Sequence, residues 1–353
     1  MHLLLLTRYA RLGSSSRIRF YQYLPYLESH GIQVTSAPLL DDRYIRNLYT
    51  NRPQNPLAIL RAYVQRLAAL LHSRAFDLIW LEKEALPWVP ALGEALATHF
   101  APSCVVDYDD AAFHRYDQHR NPFVRALLGG KIDAVMRRAA LVVAGNDYLA
   151  ARARQAGAAR LEIIPSVVDA DRYRPAPPRP PAGFNIGWIG APVTAPYLRL
   201  IQPALATLCQ RSDTRLTLVG AGRLAMEGVP LESRPWREAT EVNELQQFDV
   251  GIMPLPDEPF ERGKCGYKLI QYMACGLPVV ASPVGVNRQI VEHGVNGFLA
   301  NTPDEWVAAL SALRDDPALR RQMGAAGRAK VETQYSLQVT APRLRALLLA
   351  TSN

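Results

Sequence analysis

Two lysines in the stretch 257–300 lie among glycines, a combination that can bind a phosphate group. Lys264 follows Gly263 directly, and Lys268 comes four residues later, so a helix starting at Gly263 would place both lysines near its amino end. The start of a helix favours a negative charge, and positive side chains there oppose the helix dipole. The two lysines are therefore either solvated or hold an anion, such as a diphosphate bound by their side chains and by backbone amides.

A run of carboxylates follows the apolar residues 104–106. It consists of Asp107, Asp109 and Asp110. The Asp-x-Asp spacing suits a hard divalent cation, which prefers oxygen ligands. A carboxylate at this place can instead accept a hydrogen bond from a hydroxyl group of a ligand, and His114, one helical turn further on, could serve in its place.

A loop of glycine, serine and arginine follows the first apolar run of the chain. Gly13 lets the backbone approach a ligand closely, and Ser14 adds a hydroxyl beside it. Ser16 is a suitable N-cap for the next helix, and Arg17 can bind an anionic group. We expect a binding site near this loop, although an ordinary loop with exposed arginines has the same composition.

Short apolar runs alternate with helical patterns along the chain, which predicts parallel βα units. His2–Thr7 is predicted as a strand and Ile18–His30 as a helix. In the second half, the helix that starts at Gly263 is predicted to run to about Cys275. Gly276 would end it in the left-handed conformation, and Leu277–Ser282 would form a buried parallel strand.

The segment from Gly266 to Ala300 resembles the donor-site segment of the family 4 retaining glycosyltransferases, the glycosyl transferases group 1. The resemblance is most specific at Met273–Gly285, which reads MACGLPVVASPVG, and at Asn296–Leu299. It extends more weakly over most of the chain. It implies an α/β protein of the GT-B fold, in which two Rossmann-like domains face a central cleft and the last helix crosses back to the first domain.

Five prolines within residues 169–182 mark the expected boundary between these domains, because such a run forms a semi-rigid linker. The expected organisation is an acceptor-side domain at residues 1–168, a Pro-rich linker at 169–183, a donor-binding domain at 184–335 and a C-terminal helix at 336–353.

The chain departs from the family's pattern at its acidic and histidine positions. The two glutamates of the Glu-x7-Glu motif fall on Gly263 and Gln271. The resemblance implies that Gln271 contacts the donor ribose and that Glu261 replaces the missing carboxylate toward the sugar. The histidine of the family's cleft falls nearest Asp110.

The family's basic clamp on the diphosphate is also absent. The segment from Gly190 to Thr194 follows the first strand of the second domain, where the family carries an Arg and a Lys, and it contains neither. We expect Lys264 and Lys268 to take over this role.

Residues 220–225 read GAGRLA and match a dinucleotide fingerprint after a predicted strand. A nicotinamide site needs a long helix next, whereas Gly228 and Pro230 interrupt this one. The loop is expected near the nucleobase instead. Trp236 would stack on that base there, or else belong to the core.

These residues and the resemblance together predict an enzyme, a metal-independent retaining hexosyltransferase. It would move a sugar from a UDP or GDP sugar to a hydroxyl of a glycan, a lipid-linked intermediate or a small molecule, with no cofactor besides the donor substrate. A degenerate, non-catalytic nucleotide-sugar-binding or scaffold subunit is the alternative. The catalytic candidates are Asp109, Asp110, Lys268 and Glu261, and the donor-binding candidates are Gly13, Ser14, Arg17, Gly190, Thr194, Trp236, Lys264, Gly266, Tyr267 and Gln271.

The composition of the 353 residues, with 49% hydrophobic and 20% charged side chains, is that of a globular protein. Its four cysteines form no C-x-x-C pair, so we expect free thiols in a cytoplasmic protein. No apolar run approaches the ~20 residues of a spanning helix. The net charge of +8 attracts anions, but no basic–aromatic tract predicts nucleic-acid binding. The arginine-rich first domain is compatible with a lipid-linked acceptor and peripheral contact with the inner face of the membrane.

Overall fold

The computed structural model describes residues 1–50, 52–97, 102–177, 183–211 and 213–352. The chain divides into two compact units. Unit 1 contains Met1–Ser166, Arg262–Cys265 and Thr340–Asn353, and unit 2 contains Val167–Glu261 and Gly266–Val339. The predicted linker thus begins inside unit 2, where Tyr173 is buried, and its residues 178–182 lie outside the described residues.

Unit 1 is built around six parallel strands with helices between them. The strands are β1 (His2–Leu6), β2 (Gln33–Ser36), β3 (Leu78–Glu82), β4 (Cys104–Tyr108), β5 (Leu141–Ala144) and β6 (Leu161–Ile163). The helices are α1 (Ser14–Arg19), α2 (Leu24–Ser29), α3 (Asp42–Tyr49), α4 (Pro56–Leu71), α5 (Ala91–Ala97), α6 (His114–Asp117), α7 (Pro122–Leu128), α8 (Lys131–Arg138) and α9 (Asp147–Ala156). The sheet order is β2-β1-β3-β4-β5-β6, so the order of the chain reverses between β1 and β3.

Unit 2 repeats this plan with a different strand order. Its strands are β7 (Phe184–Ile189), β8 (Thr214–Val219), β9 (Leu231–Arg234), β10 (Val250–Met253), β11 (Val279–Ala281) and β12 (Gly297–Leu299). Its helices are α10 (Gln202–Leu208), α11 (Glu241–Leu245), α12 (Pro259–Arg262), α13 (Tyr267–Ala274), α14 (Asn287–Ile290), α15 (Pro303–Asp315) and α16 (Pro317–Gln334). The order β12-β11-β10-β7-β8-β9 is that of a Rossmann sheet, and the chain order reverses between β7 and β10.

The strands are apolar because a parallel sheet is covered by helices on both faces. Every residue of β3 and of β7 is buried. The predicted strand Leu277–Ser282 is confirmed as β11, which pairs in parallel with β10 and with β12.

The last helix, α17 (Leu337–Ser352), belongs from Thr340 onward to unit 1. The hydroxyl of Thr340 lies 3.0 Å from that of Tyr23, and both side chains are buried. No helix among the described residues is long and apolar enough to cross a membrane.

The predicted helix Ile18–His30 is wrong as a single element. The structure has α1, a short 3-10 helix at Tyr21–Tyr23, and α2. Pro25 explains the break, because proline has no backbone N–H to continue a helix and is tolerated only in the first turn of a new one.

The predicted start of the next helix is also wrong, whereas its predicted end is confirmed. α13 begins at Tyr267 because Gly266 has a φ of 63°, a left-handed conformation that a helix cannot include. At the other end Gly276 is left-handed with a φ of 71°. The amides of Gly276 and Leu277 donate to the carbonyls of Met273 and Tyr272, which completes a Schellman motif.

The Schellman turn is covered by α16, whose Gly324 packs on it without space for a side chain. A Cβ atom on Gly324 would lie 1.9 Å from the carbonyl oxygen of Gly276. Gly324→Ala should therefore lower the free energy of unfolding by about 1–3 kcal/mol, since backbone atoms cannot move aside cheaply. Urea denaturation followed by tryptophan fluorescence measures this.

Gly130→Ala is the matched control, because a Cβ there meets no atom within 4 Å. This control should unfold at the same urea concentration as the unmodified chain or slightly above it. Equal midpoints for the two variants would contradict the packing of α16 on the turn.

Candidate functional site

Ligands of open α/β sheets bind outside the carboxyl ends of the strands, at the point where the strand order reverses. In unit 1 this point lies between β1 and β3, which lead into the segments beginning at Thr7 and at Lys83. In unit 2 it lies between β7 and β10, which lead into the loop at Gly190 and, through residues 254–266, into α13.

Lys83 organises the acidic end of β4 in unit 1. Its ammonium nitrogen lies 2.8 Å from Oδ1 of Asp109 and 2.9 Å from Oδ2 of Asp110, and its side chain is buried. Burial alone would lower the pKa of Lys83, but the two carboxylates outweigh it and raise this pKa. Burial would likewise raise the pKa of Asp110, but Lys83 and then Arg115 hold it well below its usual range. Asp110 is therefore ionised at neutral pH.

Lys83 also has an unusual backbone conformation. Its φ of 62° lies in the left-handed region, which residues with a Cβ rarely adopt. The hydroxyl of Tyr108 donates to the carbonyl of Lys83 at 2.8 Å, and the amide of Lys83 donates to the carbonyl of Asp107. These bonds fix the strained residue so that its side chain reaches both aspartates.

The Asp-x-Asp pair does not form an open cation site. Arg19 binds both carboxylate oxygens of Asp107, at 2.8 and 3.1 Å, in a fully buried fork. Asp109 is held by Lys83. Among the described residues, no group of three or more His, Cys, Asp or Glu side chains has the geometry to hold a metal ion. His114, the other candidate at this place, has its two ring nitrogens on Asp117 and on Tyr148.

The loop after β1 is fixed by a buried glutamate that the sequence analysis did not single out. The Ser16 hydroxyl donates to Glu82 at 2.6 Å and accepts from the amide of Tyr9 at 3.1 Å. The prediction that Ser16 caps a helix is wrong, because Ser16 lies inside α1 and its hydroxyl is used by Glu82; Gly13 occupies the N-cap position. Burial raises the pKa of Glu82, against the charge of Lys83 and the bond from Ser16.

The predicted binding residues of this loop differ in exposure. Gly13 is buried, and its φ of −68° is available to any residue. It is glycine because a Cβ would lie 2.4 Å from the Cβ of Tyr9. Ser14 is exposed at the start of α1, whereas Arg17 is buried in it.

Lys264 lies in the short segment Arg262–Cys265 of unit 1, not in a helix. The side-chain amide of Asn146 fixes this segment by donating to the carbonyls of Gly263 and Lys264, at 3.0 and 3.1 Å. The charge of Lys264 contributes to the low pKa of Asp110, after Lys83 and Arg115. Gly263 has no space for a side chain, because a Cβ would lie 2.8 Å from the backbone nitrogen of Ala111.

In unit 2, Gly190 and Lys268 lie side by side at the reversal point. The Lys268 ammonium sits 5.5 Å from the centre of the Trp188 ring, and a Cβ on Gly190 would be 2.8 Å from Cε of Lys268. Gly220, with a φ of 80°, lets the next loop approach as well: a Cβ there would meet the Gly190 carbonyl at 2.3 Å and Trp236 at 3.0 Å. The loops after β7, β8 and β9 thus meet at Gly190 and Gly220, and the side chain of Lys268 lies beside Gly190.

A buried hydrogen-bond network connects the other candidates of unit 2. The amide of Gln271 donates to the hydroxyl of Tyr173 at 3.2 Å, and that hydroxyl donates to Glu241. The other carboxylate oxygen of Glu241 accepts from the indole nitrogen of Trp236, and the Tyr267 hydroxyl lies 3.5 Å from that of Tyr173. Burial raises the pKa of Tyr173 far above its usual value, so Tyr173 stays a donor.

The remaining candidates of unit 2 have contacts outside this network. Glu261 is buried and accepts a hydrogen bond from the hydroxyl of Tyr197. The hydroxyl of Thr194 donates to the carbonyl of Ala191 at 3.0 Å, which forms a turn before the 3-10 helix Ala195–Ile201. Gly266, at the N-cap of α13, has no space for a side chain because Ile290 would lie 2.3 Å from its Cβ.

The structure therefore brings Asp109, Asp110 and Lys264 together in unit 1. In unit 2 it brings together Gly190, Trp236, Lys268, Tyr267 and Gln271. Sequence reasoning missed Glu82, Lys83, Tyr173 and Glu241. Only Glu82 and Lys83 had a sequence signal, since they stand in a Glu-Lys-Glu triplet directly after the apolar residues of β3.

Unit 2 can be assigned to a protein family. Residues 184–316 match the family model described as glycosyl transferases group 1. They form a glycosyl transferases group 1 domain. The sequence resemblance of Gly266–Ala300 to this family is thereby confirmed.

A curated relative of this domain's family is the GDP-mannose-dependent monoacylated alpha-(1-6)-phosphatidylinositol monomannoside mannosyltransferase of Corynebacterium glutamicum. It is 29% identical over 218 residues, which are 53% of this chain and 55% of that protein. The chain thus spans about half the length of this relative.

Two solved structures are similar over nearly the whole chain. Sucrose-phosphate synthase from Thermosynechococcus elongatus superposes with a TM-score of 0.73 at 17% identity, covering 99% of this chain and 98% of that one. The structure of Anabaena HepE in complex with UDP also superposes with a TM-score of 0.73. Its identity is 18%, and the match covers 99% of this chain and 100% of that one. This likeness shows the fold, and with the two parallel six-stranded sheets it confirms GT-B.

Replacing Lys83 tests its role as the common partner of Asp109 and Asp110. Lys83→Met should lower the free energy of unfolding by roughly 3–5 kcal/mol, because it leaves two nearly buried carboxylates without their cation. Arg115→Gln is the control, since Arg115 is half-exposed and 3.6 Å from Asp110; its cost should be below about 1 kcal/mol. Urea denaturation compares them, and equal costs would contradict the arrangement.

The pH dependence of stability gives a second measurement of this interaction. Because the pKa of Asp110 is lower in the folded than in the unfolded state, Asp110 stabilises the fold above the unfolded pKa of about 3.9. This contribution disappears as the pH falls through the lower folded value. The loss of stability below about pH 4 should therefore be smaller in Lys83→Met than in the unmodified chain.

Proposed function

We propose that the chain transfers a sugar from a nucleoside diphosphate sugar to a hydroxyl acceptor, with retention of configuration and without a metal ion. The observation that carries this proposal is the group 1 domain at residues 184–316, whose sheet places Gly190 and Lys268 together at the reversal point of the strand order. This is the edge of an open sheet where a phosphate ligand is expected.

Residues of unit 2 would stabilise the charge of the leaving diphosphate. When the bond between the anomeric carbon and the phosphate oxygen breaks, negative charge develops on the diphosphate. The ammonium group of Lys268 and the first amides of α13, those of Tyr267 and Lys268, would stabilise this charge without reorganising. The helix dipole of α13 adds to this stabilisation, since the positive end of the dipole is the amino end of the helix, which carries these amides.

Trp236, Tyr267 and Gln271 would support the nucleoside. Gln271 is held by Tyr173, and Trp236 is held by Glu241, so a single buried network sets the positions of both side chains. A rigid aromatic wall can stack on a base without losing side-chain entropy on binding.

Asp109 and Asp110 of unit 1 would orient the acceptor hydroxyl group rather than take its proton. Because the pKa of Asp110 is held well below its usual range, Asp110 is a weak base at neutral pH. An ionised carboxylate still accepts a strong hydrogen bond from a hydroxyl group. Asp109, bonded to the same lysine, would help to fix this geometry.

The relatives support the classes of donor and acceptor proposed here. The Corynebacterium protein is named for GDP-mannose and for a phosphatidylinositol mannoside acceptor, and HepE was solved with UDP. We propose a UDP or GDP sugar as donor and a lipid-linked hydroxyl as acceptor. Such an acceptor would place the chain at the inner face of a membrane.

A thermal-shift screen of UDP and GDP sugars tests donor binding, because a ligand that binds only the folded state raises the melting temperature. The best donor is then incubated with candidate acceptors, and release of UDP or GDP is measured. Binding with neither transfer nor hydrolysis would favour the non-catalytic binding subunit. The absence of any shift would contradict the proposal.

Lys268→Ala should weaken donor binding by about 1.5–3 kcal/mol, because a charge-assisted hydrogen bond to phosphate is lost. Isothermal titration calorimetry with the best donor measures this loss. Arg215→Ala removes an exposed cation elsewhere in the same domain and should leave the affinity unchanged. If both variants bind the donor as the unmodified chain does, Lys268 is not a phosphate ligand.

Transfer activity should survive EDTA. The reason is that Asp107 and Asp109 are each bonded to a protein cation, so neither carboxylate is available to coordinate one. The assay compares rates in EDTA with rates in added magnesium or manganese. Complete loss in EDTA with recovery in either ion would overturn the metal-independent mechanism.

A further inference from the structure

Helix α4 of unit 1 presents an apolar stripe to solvent. The stripe consists of Leu57, Leu60, Val64, Leu67 and Leu71, whose exposed fractions range from 40% to 75%. The spacing of three and four residues places the five side chains within about 80° of the helix circumference. The opposite side of α4 packs on unit 1, where Arg66 and Leu70 are buried.

The charge around this stripe has one sign. Residues 43–76, which include all of α4 and the part of α3 that follows Asp42, contain six arginines and no aspartate or glutamate. Arg66 is the buried one, and its guanidinium donates to backbone carbonyls of Thr7, Ala37 and Ala85. The other five are exposed: Arg43, Arg46, Arg52, Arg61 and Arg74. Arg61 lies beside the stripe, about 80° from its centre and about 40° beyond its edge.

These observations distinguish between two occupants of the stripe. The 3-4 spacing would also suit a coiled coil with a second copy of the chain. The five side chains together expose about as much surface as three whole residues, on the order of 500 Å², which is less than the ~800 Å² per partner of a stable dimer. A second copy would also bring its own acid-free basic stretch close to the first. An anionic surface matches both the apolar stripe and the arginines.

We propose that α4 docks on an anionic lipid bilayer, with the stripe in the interface and the five exposed arginines of residues 43–76 at the headgroups. A helix that is apolar on one face, basic around it and free of acidic residues lies in the plane of the interface. The negative surface potential of anionic lipid adds to the affinity through each nearby arginine. The surface is distinct from the candidate site residues and does not depend on the proposed transferase reaction.

Sedimentation with vesicles tests the proposal on the full chain, without donor or acceptor. Vesicles of phosphatidylcholine with about one-third phosphatidylglycerol should bind the chain, and vesicles of phosphatidylcholine alone should bind it at least tenfold more weakly. High salt should weaken the binding, because it screens the arginines. Equal binding to the two kinds of vesicle would overturn the proposal.

Leu57→Gln with Leu60→Gln should reduce binding to the anionic vesicles at least tenfold, because two exposed side chains lose their apolar contact with the interface. The matched control is Phe123→Gln with Leu127→Gln on α7, where both side chains are also well exposed. The control should bind as the unmodified chain does. Since all four side chains are exposed, circular dichroism should show unchanged folding in both variants.

Two results would overturn the assignment. Equal loss of binding in the two double variants would show that α4 has no special part in it. A dimer in light scattering that Leu57→Gln with Leu60→Gln converts to a monomer would show that the stripe pairs with a second copy instead.

Discussion

A parallel sheet must be covered with apolar side chains on both faces, and this requirement leaves the ends of its strands as the place for polar chemistry. Both units obey it. Strands β3 and β7 are buried along their whole length, and a candidate residue follows directly after each, Lys83 after β3 and Gly190 after β7. The buried strands therefore set the positions of these two residues.

Burial at these strand ends creates a second requirement, because a charged group that leaves water must find a partner. Unit 1 meets it with pairs and small networks. Arg19 forks with Asp107, Lys83 joins two aspartates, and Lys131 bonds to Glu84 and Glu94. In unit 2, Glu241 accepts hydrogen bonds from two neutral donors, Tyr173 and Trp236, and Arg172 lies 3.9 Å away. The carboxylates of unit 1 are thus held mainly by cations at close range, whereas Glu241 is held mainly by neutral hydrogen-bond donors.

The fold could be predicted from the sequence because its signals are local and repeated. Apolar runs, the glycine after α13 and the motif around β11 each predict their own element. The elements that were predicted wrongly depend on single residues with special backbone requirements, namely Pro25 and Gly266. The partners within the site could be predicted only in part. The bonds between Tyr173 and Glu241 and between Ser16 and Glu82 join residues 68 and 66 positions apart, a distance that no spacing rule covers.

The close packing around Gly263 limits which residues this position can accept. The sequence resemblance aligns it with the first glutamate of the family's motif, yet even a single carbon atom would press against the backbone of Ala111. No mutation at position 111 removes that backbone atom, so a side chain at position 263 would require the segment after β4 to shift. Engineering a carboxylate into this place would therefore need at least one further change in that segment.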